Sequence, residues 1–164
     1  MKTALSLLAA LSLHASANAQ AAYEQSFNGH LELHNQVEYH TIPIYSGRGN
    51  LRVWTDSYTS AASFDPVITL WHNGARIAMS DDNQTVNPLY QHPRDAGLVL
   101  SALPWGTYVV TITAYPNFPL NGRIGGGFAY DAQTPIPIRG WCPLGAPGSV
   151  CRTDRHFSLH WTVQ

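Results

Sequence analysis

Lysine is almost missing from this chain: Lys2 is the single one in 164 residues, which leaves eight arginines set against ten acidic residues. No run or stripe of basic residues exists. Proteins that hold nucleic acid or anionic membranes neutralise phosphates with such a stripe, so neither partner is expected. Apolar runs of membrane-spanning length are missing as well. The segment 4-ALSLLAALSL-13 is about half of what a bilayer requires. It follows Lys2 and precedes 17-ANA-19, the order of a charged n-region, an apolar h-region and a small-residue cleavage site. The expected organisation is a signal peptide over residues 1–19 and a single domain over 20–164, long enough to bury a core. A secreted or periplasmic protein without a membrane span in the mature chain follows from that reading.

Cysteine is scarce too. Cys142 and Cys151 flank the Gly/Pro-rich 143-PLGAPGSV-150. In an oxidising compartment the pair is expected to form a disulfide, closing a small loop worth about 2.5–3 kcal/mol by chain entropy. A zinc site would need more ligands, and no second cysteine pair or Cys/His cluster at ligand spacing exists. Catalytic signatures are equally thin. There is no G-x-S-x-G elbow and no helical H-E-x-x-H, and 125-GGG-127 has no following lysine to make a phosphate loop. A pair of acidic residues across a cleft would make a glycoside hydrolase, but sequence does not place two carboxylates at the required separation. The expectation is that the protein is not an enzyme.

What the sequence does have is period-2 alternation. In 157-FSLHWTV-163, Phe157, Leu159, Trp161 and Val163 share one face; in 107-TYVVTITAY-115, Tyr108, Val110 and Ile112 do. Further strands are expected at 29–34, 37–45, 51–58, 67–72, 76–80 and 98–102. Asn73-Gly74 between two short apolar runs is the strongest hairpin signal in the chain, and 46-SGRGN-50 and 104-PWG-106 read as breakers. Helical periodicity is nowhere sustained. Short strands with 13 Gly and 11 Pro predict an all-β chain, a single jelly-roll-like antiparallel β-sandwich. The segment 116-PNFPLNGRIGGG-127 is a long loop of the kind that often carries function.

Asp81 and Asp82 are adjacent at the end of the hairpin. Carboxylates about 5 Å apart repel by roughly 1 kcal/mol in water and about 3 kcal/mol at an effective dielectric of 20. Solvated, the pair is a strand end and no more; partly buried, it calls for a cation, and calcium suits hard oxygen donors. Asp65, Asn83 and Asp95 lie near enough in sequence to join it. Asp65 precedes Pro66, so a purely structural turn role is open to it as well. Seven histidines remain after cleavage; His30 and His34 would share one strand face, as would His156, Ser158 and His160, and solvent-facing polar positions are the simpler reading. Five tryptophans and eight tyrosines offer another use: Trp54, Trp71, Trp105 and Tyr115 are candidates for an aromatic face that stacks on carbohydrate, or for ordinary core packing.

The phrases 64-FDPVITLWHNGARIAMSDDN-83, 103-LPWGTYVVTITAYPNFP-119 and 125-GGGF-128, in that order, resemble an exported protein family of the DVUA0089 type, related to bacterial pre-peptidase C-terminal β-sandwich domains. With 27-FNGHLEL-33 and 50-NLRVWTDSY-58, the resemblance extends over most of the mature chain. It implies a jelly-roll-like module without an active site, on secreted or periplasmic proteins, often holding calcium and serving adhesion or substrate binding. By this match Asp81 and Asp82 are the family's acidic pair, Asp65 its strand-start aspartate, and Asp95 a further acid. The expected partner is an extracellular or cell-envelope ligand, carbohydrate among the candidates.

Overall fold

The structure, a computed structural model, describes residues 23–60, 63–143 and 151–164; the expected signal peptide at 1–19 lies outside them. Six strands form one antiparallel hydrogen-bonded sheet: β1 (Gln25–His30), β2 (Glu38–Thr55), β3 (Pro66–His72), β4 (Ala75–Ser80), β5 (Gly97–Ala114) and β6 (His156–Val163), in the order β1-β6-β2-β5-β3-β4. Among the described residues one 3-10 turn, Ile124–Gly126, sits in the loop after β5. The fold is all-β and of jelly-roll-like sandwich type.

Two strands of 18 residues, β2 and β5, build both layers. The first half of β2 (38–44) pairs with the second half of β5, and β5 there carries β3 and then β4. The second half of β2 (51–55) pairs with the start of β5 and also with β6, beyond which lies β1. One cluster joins side chains of both halves: Leu51, Val53, Phe157 and Leu159 from one, Ile42, Ile68, Leu70, Val110 and Ile112 from the other, all buried. The sheet therefore folds over on itself, and its two halves are the sandwich.

This joins strands that the sequence reading separates. The breakers at 46–50 and 104–106 do not end strands; they bend them. Register shifts fall between Ile44 and Arg48 and between Gly49 and Leu51, and Gly47, Ala102 and Gly106 take positive φ. A glycine-rich bulge kinks a strand while the ladder resumes beyond it, which is how one strand serves two layers. The Asn73-Gly74 hairpin forms as expected, both residues at positive φ (51° and 74°), the pattern of a type I′ turn.

The first strand is shifted from its expected span. It runs over Gln25–His30, and 31–34 leave the ladder. His34 is fully buried there: its Nε2 meets Gln133 Oε1 at 3.0 Å and its Nδ1 accepts the Ile136 N–H at 3.1 Å, which fixes the proton on Nε2. His30 and His34 thus share no face. The 116–127 loop is built into the fold at its start, while residues 120–123 are exposed. Asn117 is fully buried, its carbonyl accepts Thr113 Oγ1 and its Oδ1 accepts the Tyr130 N–H, while Phe128 packs edge-on against Trp71. That cover explains why Thr111 and Thr113, opposite the core face of β5, are buried too. Cys142 and Cys151 are joined in a disulfide, as expected.

Candidate metal centre at the end of the β3–β4 hairpin

Antiparallel pairing brings the acids together. Ile68 pairs with Ser80, so the residues before β3 lie beside those after β4. Asp65 is the residue before β3, and Asp81 and Asp82 follow β4 directly. Asp65 is anchored by its carbonyl, which accepts the Tyr115 N–H at 2.7 Å. The three carboxylates each offer one oxygen within 4.8 Å of the others, and no other such cluster of acidic, histidine or cysteine donors occurs among the described residues.

The cluster is graded in burial: Asp65 is 3 % exposed, Asp81 half-buried and Asp82 exposed. Asp65 Oδ2 accepts Arg94 Nη1 at 2.9 Å, with Arg152 Nη2 at 4.0 Å. Its other oxygen, Oδ1, is buried without a hydrogen-bond partner, and so is Asp81 Oδ1. A buried carboxylate oxygen left bare is costly, and two in one cluster more so. The Asp81 carboxyl registers this strain: burial first, then repulsion from Asp65 and Asp82, push its pKa up to about 7, against the pull of Arg94. Burial likewise raises the Asp65 carboxyl, opposed by its hydrogen bond to Arg94.

The donors fit a hard divalent cation. All are oxygens, and oxygens on opposite sides of one calcium stand about 4.8 Å apart at bond lengths of about 2.4 Å. Three carboxylates supply fewer than the six to eight ligands calcium takes, so part of the shell would belong to water or to a ligand.

Two expected members of the set do not join it. Asp95 is fully buried, but its oxygens are consumed: Oδ1 accepts Thr55 Oγ1 and the Ser57 and Tyr58 N–H groups at 3.0–3.1 Å, and Oδ2 accepts the His92 N–H at 2.8 Å. It ties the 55–58 segment to the 92–95 turn. The Asn83 side chain donates to Gly97 O and accepts the Thr85 N–H and hydroxyl. Both hold the loop 83–95 in place, and that loop delivers Arg94 to Asp65. Arg94 and Arg152 carry no sequence signal for this role, because no local pattern ties an arginine to an aspartate 29 or 87 positions away.

The aromatic candidates do not form a common face. Trp54 (2 % exposed) stacks on His160, and Trp71 (1 % exposed) donates its Nε1–H to Thr111 Oγ1, so both belong to the packed interior. Tyr115 is partly buried against Phe118. Trp105 alone of the four is open, at 71 % exposure. It stands beside the bend of β5, ten residues before Tyr115, which lies just past the end of that strand.

No protein-family description and no curated protein sequence matches the chain. Among solved structures it is similar to a periplasmic lysozyme inhibitor of g-type lysozyme from Aeromonas hydrophila, with 13 % identity over 89 % of this chain and 90 % of that one and a TM-score of 0.45. It is also similar to the pre-peptidase C-terminal domain of a collagenase from Bacillus anthracis, with 11 % identity over 86 % and 89 % of the two chains and a TM-score of 0.43.

Proposed function

We propose that the protein is an exported, non-catalytic β-sandwich module whose binding or adhesive role is supported by calcium held between Asp65, Asp81 and Asp82. The observation that carries this reading is the pair of buried, unpartnered carboxylate oxygens, Asp65 Oδ1 and Asp81 Oδ1, within one cluster of acids. Asp65 would be the fixed ligand, its outer oxygen held by Arg94; Asp81 would supply the second oxygen and Asp82 the solvent-facing third. Calcium would add charge neutralisation and open coordination positions at the domain's surface, where an oxygen-bearing ligand of the cell envelope could complete the shell.

The test is thermal unfolding of the exported domain in 2 mM calcium and in excess chelator. With a dissociation constant of about 0.1 mM, mass action adds about 1.8 kcal/mol, a rise in midpoint of about 5 °C. The rise should vanish in Asp81→Asn/Asp82→Asn. Equal midpoints in calcium and chelator would sink the reading.

A further inference from the structure

A cross-strand pair of histidines lies at the opposite edge of the sheet. β1 is an edge strand, and its last residue, His30, pairs directly with His156, the first residue of β6. Residues directly opposite in an antiparallel pair have Cβ atoms about 4.5–5.5 Å apart. The two imidazole rings stand 6.2 Å apart, edge to face, and both side chains are at least half exposed.

Each ring has one nitrogen against a carboxylate. His156 Nδ1 lies 2.9 Å from Asp154 Oδ1, which also accepts the His156 N–H; His30 Nε2 lies 3.3 Å from Glu32 Oε1. Glu32 is itself held by Arg155. A carboxylate beside one ring nitrogen keeps the proton there and leaves the lone pair on the other. Among the described residues, His30 Nδ1 and His156 Nε2 have no protein partner. The arrangement is that of metal-ligating histidines, whose second nitrogen is oriented by a carboxylate.

We propose that His30 and His156 form a two-histidine site for a borderline transition-metal ion of the Zn(II) or Cu(II) class. Imidazole nitrogen suits these ions and not calcium, at bonds of about 2.0–2.1 Å, and both side chains are exposed enough to turn toward a shared ion. Water or a donor from a bound partner completes the shell. The site is independent of the acidic cluster, since neither histidine belongs to it.

The test is titration of the exported domain with Cu(II) alone, followed by NMR and by calorimetry. The first equivalent should broaden the His30 and His156 ring signals before those of His72, His92 or His160. His30→Gln and His156→Gln should each weaken that first binding event by at least about tenfold, and Asp154→Asn by a comparable factor through the lost orientation. Asp81→Asn/Asp82→Asn should leave it unchanged. Broadening that begins elsewhere, or an isotherm unaltered in His30→Gln and His156→Gln, would overturn the proposal. Both histidines are exposed, so a far-UV spectrum and melting midpoint like the parent's will show the variants folded.

Discussion

Asp95 and the Asp65–Asp81 pair are aspartates with buried carboxylate oxygens on segments held together by the same loop, yet they are opposite in kind. Both carboxylate oxygens of Asp95 accept hydrogen bonds, four in all, from two segments of chain. Asp65 and Asp81 each leave an oxygen buried and bare. Low local dielectric strengthens a satisfied polar network and penalises an unsatisfied one by the same physics. Asp95 is therefore part of the fold's own bonding. The acidic cluster keeps oxygens that no group among the described residues satisfies, which makes it the place to test for a ligand.

One substitution, aspartate to asparagine, separates the two regions by sign. Asp95→Asn keeps the size but turns an acceptor into a donor facing an N–H group. It should cost about 3 kcal/mol, read as a lower melting midpoint both in calcium and in chelator. At Asp81 the effect reverses. Its carboxyl titrates near 7 when folded and near 3.8 when unfolded, so between these values the native state holds a proton that the unfolded chain has released. Stability of the metal-free protein should fall as pH rises from about 4 to about 7, and the loss should be complete above that. After allowance for solvent screening at a half-open site the loss is about 2 kcal/mol. Asp81→Asn should flatten that slope and, in chelator at pH 8, melt higher than the parent. A smaller contrast concerns the aromatics: Trp105→Ala, at an exposed position, should shift stability by no more than about 0.5 kcal/mol. A larger loss would mean that Trp105 is packed against a neighbour.

The local parts of this architecture were legible in sequence. Alternation in 157-FSLHWTV-163 located β6 to within a residue, and Asn73-Gly74 located the hairpin that sets Asp65 beside Asp81 and Asp82. What was not legible was whether a breaker ends a strand or bends it. Gly47 and Gly106 can do either, and only the pairing of β2 with β5 on both sides of the bends decides for bending. The same limit applied to side chains. Asp95, Trp54 and Trp71 had the right chemistry for a site, but burial turned each of them into a packing or bonding element. Pairs joined by fold alone, such as Arg94 with Asp65 or His30 with His156, leave no periodic or local trace in the sequence.

The central question is whether the partner of Asp81 is a cation. The most direct measurement is the Asp81 side-chain carboxyl resonance followed from pH 4 to 9, once in chelator and once in saturating calcium. Titration near pH 7 is expected in chelator, and in calcium a midpoint moved down by at least about one unit, because the ion displaces the proton. The same midpoint in both conditions would show that only a proton occupies the cluster, and calcium at this site would be refuted.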